Sequence, residues 1–202
     1  MGQEIRCIAR LGDTVSEGRA LLETDELLFR GDFRLRIPFR AIRSLDAADG
    51  CLTVAFSDGT AIFELGPQAE RWAERIRNPK TLVDKLGVKP GMRVSVLGVS
   101  HEPFLELLLG RTEDVSVGSQ VEGSDLVLVQ VETAEDLLRV GSLEALIKRD
   151  GGIWVISPKG RKDLTELDVL TAGRGAGLVD TKVVRFSDTH TAHRFSIPKT
   201  RR

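Results

Sequence analysis

The cationic segment Ser157-Pro158-Lys159-Gly160-Arg161-Lys162 is the strongest candidate for binding chemistry in this sequence. It follows the apolar run Ile153–Ile156, which is typical of a buried parallel strand, and it precedes a predicted helix. Ligands of open α/β sheets bind at the carboxyl ends of strands, where helix N-termini present free N–H groups. The pattern therefore suggests an anion site whose candidate residues are Ser157, Lys159, Arg161 and Lys162. The same composition also suits a solvated cationic loop.

A second candidate is the turn after the apolar run Met92–Val99. Gly98 would let the backbone approach a ligand closely, and His101, next to Glu102 at a predicted helix start, could transfer protons. Ser100 is the predicted N-cap of that helix. The alternative for His101 is an exposed residue of a first helical turn.

Other reactive residue types lack the spacing that chemistry needs. His190 and His193 fall on a predicted turn and strand, where a three-residue spacing places side chains on opposite faces. Cys7 and Cys51 form no C-x-x-C pair and are expected to be buried thiols. The glycine-rich run 173–177 ends a helix instead of opening one. We therefore predict no catalytic residue, no metal site and no cofactor.

Arginines concentrate in one short segment of the first half of the chain. Alternation of charged and apolar residues places Arg34 and Arg36 on one exposed strand face. Asp32 and Asp46 lie nearby, and few aromatic residues are interleaved, so this basic face predicts a solvated surface more readily than a nucleic-acid site. The arginines of the segment are Arg30, Arg34, Arg36, Arg40 and Arg43.

The overall composition is that of a globular protein. Of 202 residues, 41% are hydrophobic and 29% charged, and the formal net charge of −1 gives no overall attraction to nucleic acid or acidic lipid. No apolar run approaches the length of a membrane span, and no leader-like segment follows Met1. We expect a cytoplasmic protein that does not bind a membrane.

The first half reads as short strands closed by a helix. Asp49-Gly50 and Asp58-Gly59 are hairpin signals that bracket a strand, and Pro67 opens a helix with Trp72 on its apolar face. This half, residues 1–78, resembles small bacterial pleckstrin-homology-like and GRAM-like domains, which implies a small β-barrel with a C-terminal helix. The early loop, taken as residues 12–17, is acidic, which argues against lipid-headgroup binding. The motifs behind the resemblance are Leu27–Gly31, Ile37-Pro38-Phe39 with Ile42, the Asp-Gly hairpin and Trp72.

The second half, residues 79–202, alternates strands and helices. Strands are predicted near 92–99, 125–131 and 153–157, with helices after Pro103, over 134–149 and from a capping box of Asp163 and Glu166 to about 174. Two final strands, 181–186 and 192–197, form an antiparallel hairpin. The pattern predicts a Rossmann-like, doubly wound sheet ending in that hairpin.

This half resembles class I S-adenosylmethionine-dependent methyltransferases in its entry, LGVKPGMRVSVLGV, and in its closing hairpin. It is also similar to the bacterial DUF3052 family, whose fold is a degenerate version of the methyltransferase fold. That family has no assigned activity, so the resemblance implies a fold and no function. The motifs shared with that family are Leu86–Gly91, Ile153–Arg161, Ala176-Gly177-Leu178 and Pro198-Lys199.

Three features argue against methyl transfer. The turn after the first strand has one glycine, Gly98, where the methyltransferases have two or three. The segment Gly118-Ser119-Gln120, after the candidate strand 114–117, has no carboxylate for ribose hydroxyls. The link from Gly118 to Ser124 is too short for a helical crossover. We therefore expect a non-catalytic binding or scaffolding protein whose partner is another protein or a small anionic ligand.

Two alternatives stay open from the sequence. One is an atypical methyltransferase or nucleotide-binding enzyme using His101, Glu102 and Lys159. The other is a nucleic-acid or phosphate binder using the arginine-rich strand face or the Lys159 loop.

Overall fold

A computed structural model describes residues 2–202 and divides the chain into two compact units, Met1–Lys80 and Thr81–Arg202. The structure is mixed α/β and contains two sheets, one antiparallel and one mixed. No helix in residues 2–202 is long and apolar enough to cross a membrane.

The first unit is a seven-stranded antiparallel sheet followed by one helix. The strand order is β4-β3-β2-β1-β7-β6-β5. The helix α1, Gln68–Arg77, buries Trp72 and Ile76 and packs against β5 and β6. The strands are β1 (Gln3–Leu11), β2 (Thr14–Leu22), β3 (Glu26–Arg30), β4 (Arg34–Pro38), β5 (Ser44–Ala48), β6 (Cys51–Phe56) and β7 (Gly59–Glu64).

The antiparallel sheet is curled. β3 and β7 are three strand positions apart, which in a flat sheet separates them by about 14 Å. The ring centroids of Phe29 and Phe63, one on each of these strands, are nevertheless only 6.1 Å apart. The sheet therefore closes around one core, and α1 contributes Trp72 to that core.

Turn chemistry in this unit follows the sequence signals. Asp49 and Gly50 both have positive φ, 51° and 76°, as a two-residue β5–β6 hairpin turn requires. The first loop is shorter than predicted. β2 already begins at Thr14, so Glu17 lies in a strand and only Gly12 and Asp13 form the turn.

The second unit is a six-stranded mixed sheet with the order β12-β13-β11-β10-β8-β9. β9, β8, β10 and β11 run parallel, and the hairpin of β12 and β13 adds an antiparallel edge. The strands are β8 (Val94–Leu97), β9 (Val115–Val117), β10 (Ser124–Gln130), β11 (Ile147–Pro158), β12 (Val179–Arg185) and β13 (His190–Ser196), and the helices are α2 (Leu82–Leu86), α3 (Glu102–Leu109) and α4 (Glu166–Gly175).

Both faces of the mixed sheet are covered. Trp154, on one face, packs with residues of α2 and α3, and its indole N–H donates to the Leu86 carbonyl at 3.0 Å. Val155 and Phe195, on the other face, pack with α4 and two 3₁₀ helices, Glu135–Arg139 and Gly141–Leu146. The predicted closing antiparallel hairpin is confirmed, as are a helix between β8 and β9 and a helix between β11 and β12.

The helix predicted over 134–149 is wrong. The chain forms the two short 3₁₀ helices instead, and β11 begins at Ile147. Gly151, predicted to stop that helix, lies within β11 at a shift in its register with β10. A Cβ atom at Gly151 would lie 3.0 Å from the Asp125 and Lys148 carbonyl oxygens, so this irregularity favours glycine.

Two predicted helix caps are displaced. α4 is capped by Thr165, whose hydroxyl accepts from the Asp168 N–H while the Asp168 carboxylate accepts from the Thr165 N–H. The predicted capping box of Asp163 and Glu166 is wrong by two residues. Likewise His101, and not Ser100, caps α3. A sequence period of three to four residues indicates that a helix is present more accurately than it indicates the residue at which the helix begins.

The two cysteines should differ in reactivity. Burial raises the pKa of the Cys7 thiol to about 11, whereas Cys51 is half-exposed at the start of β6. A thiolate is the reactive form, so at pH 8 a disulfide reagent should label Cys51 and leave Cys7 unmodified until urea unfolds the chain. The Cys51→Ser variant should have no fast-reacting thiol. Fast labelling of that variant in its native state would contradict the burial of Cys7.

Candidate ligand site at the carboxyl edge of the mixed sheet

The strand order of the mixed sheet reverses between β8 and β10. From β8 the chain moves outward to β9 and then returns past β8 to β10. In open α/β sheets ligands bind outside the carboxyl ends of the strands at such a reversal. A cavity of about 230 Å³ lies there, bounded by Leu97 at the end of β8, Gly98 after it, Gly118 after β9, and Val129 and Gln130 at the end of β10.

The lining of this switch-point cavity is weakly polar and carries one charge. The Gln120 and Gln130 amides offer both donors and acceptors, and Arg139 adds a guanidinium. No carboxylate is among its lining residues in the described chain. Gly98 and Gly118 have φ of 72° and 78°, a left-handed backbone conformation that favours glycine. Because glycine has no side chain, these two turns leave the cavity open.

A polar network borders the cavity through Gln130. The Gln130 amide donates to a Glu132 carboxylate oxygen at 2.7 Å, and the same oxygen lies 3.1 Å from Nε2 of His190. Arg161 lies 3.8 Å from the other Glu132 oxygen. The hydrogen bond from Gln130, and then that from His190, hold the pKa of the Glu132 carboxyl below its ordinary value, although partial burial acts in the opposite direction.

Asp136 fixes the turn that carries Arg139 into the cavity wall. Its Oδ2 accepts from the N–H groups of Glu132 and Thr133 and from the Thr133 hydroxyl, each at 3.0 Å. Its Oδ1 accepts from the Arg139 guanidinium. The Glu132 N–H bond and the other donors lower the pKa of Asp136, because each stabilises the charged carboxylate.

The predicted anion segment lies at the same edge, at the end of β11, but two of its three cations have partners within the chain. The Lys159 ammonium donates to the Ser187 carbonyl at 2.6 Å, and burial and the repulsion of Arg185 lower its pKa. Arg161 pairs with Asp163 as well as Glu132. Lys162 is exposed and makes no hydrogen bond or ion pair within residues 2–202, and Ser157 is buried. These residues are therefore close together without forming one open cradle.

His101 is committed to structure. Its Nδ1 accepts the Phe104 N–H at 3.2 Å, and its ring packs edge-on against Phe186, with centroids 5.6 Å apart. It does not line the cavity, whereas Gly98 does.

The other two histidines point to different partners. His190 contacts Glu132, while His193 is buried and lies 3.0 Å from Glu166 through Nε2. Nδ1 of His193 has no hydrogen-bond partner. Within residues 2–202 no group of three or more His, Cys, Asp or Glu side chains could hold a metal ion.

In the first unit, Arg34 and Arg36 are both exposed on β4, as predicted. They differ in their partners, since Arg36 donates to Glu26 at 2.5 Å and Arg34 has no ion pair among the described residues.

The amides and the arginine of the cavity were missed by sequence reasoning. In the sequence, Gln120 lies in a segment without a carboxylate and Gln130 lies in a predicted strand, and neither position carries a signal for a cavity. Arg139 was hidden in a predicted helix, and the 3₁₀ turn that directs it depends on Asp136. The available signal was Thr133 followed by Asp136, a spacing typical of a capped turn at a strand's end.

Comparison with known proteins gives structural neighbours only. A scan against protein-family models finds no match, and a search of curated proteins finds none either. Similar solved structures include a putative type 11 methyltransferase from Sulfolobus solfataricus, with 14% identity, coverage of 57% of this chain and 88% of that one, and a TM-score of 0.44. A SAM-dependent methyltransferase from Aquifex aeolicus has 15% identity, coverage of 62% and 93%, and a TM-score of 0.45.

A SAM-dependent O-methyltransferase from Thermotoga maritima covers 96% of this chain and 93% of its own, at 11% identity and a TM-score of 0.42. At these identities and scores the resemblance carries no argument about what this chain binds.

Replacing Asp136 should loosen the cavity wall in a pH-dependent way. Since its folded-state pKa is lowered, its stabilising effect is present above the unfolded pKa of about 3.9 and is lost as the pH falls through the lower folded value. Asp136→Ala should lower the free energy of unfolding by about 1 kcal/mol at pH 7, and the deficit should shrink below pH ~4.

Urea unfolding in a Trp72→Phe background measures this, because Trp154 then reports on the second unit alone. Glu135→Ala is the matched control, since Glu135 is exposed on the same 3₁₀ helix and has no hydrogen-bond partner within residues 2–202. An equal deficit in both variants, or one independent of pH, would count against the role given to Asp136.

Proposed function

We propose that this is a non-catalytic ligand-binding protein whose second unit takes a small anionic molecule in the switch-point cavity. The supporting observation is the lining, in which the Gln120 and Gln130 amides can orient a polar ligand and Arg139 is the one charged residue among the lining residues within 2–202. The Arg139 guanidinium has five N–H donors. Asp136 accepts a hydrogen bond from one of them, so the others remain for a ligand anion.

Size and charge both favour a small anion over S-adenosylmethionine. A cavity of about 230 Å³ is below the ~300–1,000 Å³ typical of sites for larger ligands. A sulfonium cation would find no carboxylate in the lining and would face Arg139. The nearby Glu132 carboxylate is already shared by Gln130, His190 and Arg161. The alternative is an atypical methyltransferase or nucleotide-binding enzyme. It requires that the cavity bind S-adenosylmethionine or a nucleotide in preference to a small anion.

For the fold we propose that the first unit is a pleckstrin-homology-like barrel and that the second is Rossmann-like, a degenerate relative of the methyltransferases. Seven antiparallel strands followed by one helix support the first assignment. A parallel core with an order reversal and a closing hairpin supports the second.

Ribose and ribose 5-phosphate form a matched pair of probes that differ only in the anion. Ribose 5-phosphate should raise the unfolding temperature of the second unit by a few degrees at saturating concentration, and ribose should raise it less. Arg139→Gln should weaken ribose 5-phosphate binding about tenfold or more in calorimetry, because a hydrogen bond to a charged group is lost. S-adenosylmethionine should give no heat of binding at millimolar concentration.

Each variant has a neighbour as its control. Gln120→Trp should block the cavity, whereas Ser119→Trp, next to it and outside the lining, should not. Arg149→Gln removes an exposed cation of the same unit and should leave the affinity unchanged. Micromolar binding of S-adenosylmethionine would overturn the proposal in favour of the methyltransferase alternative.

A further inference from the structure

Four arginines lie side by side across the antiparallel sheet of the first unit. In the strand register Arg6 of β1 is opposite Arg19 of β2, Arg19 is opposite Arg30 of β3, and Arg30 is opposite Arg34 of β4. We call Arg6, Arg19, Arg30 and Arg34 the arginine row. The alternation in the sequence places Arg34 and Arg36 together on one face of β4. In the strand register, however, Arg36 lies in the next row of residues, and it is paired with Glu26.

All four side chains project from the outer face. Successive residues of a strand point to opposite faces, and Cys7, Ala20 and Phe29, each next to a member of the row, are buried in the core. The four arginines themselves are exposed. With strands about 4.8 Å apart, the row is about 14 Å long.

The row opposes folding electrostatically. Like charges directly opposite each other on neighbouring strands are destabilising. Arg19 has one partner, Glu4, at 3.1 Å. Arg6, Arg30 and Arg34 make no side-chain hydrogen bond or ion pair within residues 2–202. Local conflicts of this kind concentrate at functional sites, where a ligand relieves them.

We propose that the arginine row binds the sugar-phosphate backbone of a nucleic acid without reading its bases. Guanidinium groups match phosphate oxygens in a two-pronged geometry. Arg6, Arg30 and Arg34, the members without an internal partner, can each hold one phosphate, so the row offers about three phosphate contacts. The outward residues of β1–β4 include no aromatic side chain, so no surface for base stacking is present there.

The shape of the charge favours a linear polyanion over an acidic membrane. Glu4 and Glu17 lie on the same face, on opposite sides of the row in β1 and β2. Two flanking carboxylates confine the positive potential to a line, which suits a single strand of phosphates. A planar array of anionic lipids would bring its charges against both carboxylates.

Fluorescence anisotropy of the full chain with a labelled single-stranded oligonucleotide tests this. For three phosphate contacts, raising the salt from 50 to 200 mM should weaken binding about twentyfold, since the logarithmic slope is about −0.7 per contact. The Arg30→Gln/Arg34→Gln variant should bind more weakly, and the same change of salt should weaken its binding only about threefold. The affinity should not depend on base sequence.

The matched control is Arg71→Gln/Arg75→Gln, which removes two exposed cations from α1 and should bind like the native chain. Thermal unfolding separates binding from folding, because removing the repulsion should leave the midpoint of the Arg30/Arg34 variant unchanged or raise it. No retention at 50 mM salt, an equal loss in the control, or binding to phosphatidylserine vesicles without binding to the oligonucleotide would overturn the proposal.

Discussion

The return of the chain from β9 to β10 constrains the whole second unit. Two parallel strands are normally joined by a crossover of a dozen or more residues that contains a helix. Here Gly118–Gly123 connects them in six residues, past the intervening β8. An extended chain of that length reaches only about 20 Å, which suffices because β9 is three residues long and the chain needs to descend only a short distance.

The same short crossover determines what the switch-point cavity can hold. A longer connection could carry a helix, with side chains to close the site. Instead, Gly118 and Gln120 of the crossover form that wall, and Arg139 approaches from the 3₁₀ turn that Asp136 holds. The cavity is consequently small, and its polarity comes from amides and one guanidinium. The size and polarity of the cavity follow from chain length as much as from side-chain chemistry.

Strands with strong patterns could be predicted from the sequence, and features that depend on register could not. The apolar runs of β10 and β11, the Asp49-Gly50 hairpin and the apolar face of α1 are local signals, and each is where the sequence indicates. The stretch 134–149 has helical composition, but Gly141 and the start of β11 pairing at Ile147 limit it to 3₁₀ turns. Tertiary pairing overrides a weak local preference. The cavity residues Gln130 and Arg139 have no local signature, because only the fold brings them together.

Ion pairing, more than the number of cations, decides which basic segments can bind an anion. The densest basic loop of the second unit is Lys159–Lys162. In it, Lys159 donates a hydrogen bond to the Ser187 carbonyl and Arg161 forms an ion pair with Asp163. The arginine row is dispersed over nearly thirty residues of sequence. Arg19 is paired, but the row's other three members, Arg6, Arg30 and Arg34, are unpaired within residues 2–202. An internal partner already satisfies the charge, so an external anion gains little from binding it. A like-charged neighbour has the opposite effect, because an arriving phosphate also removes a repulsion that the fold otherwise bears.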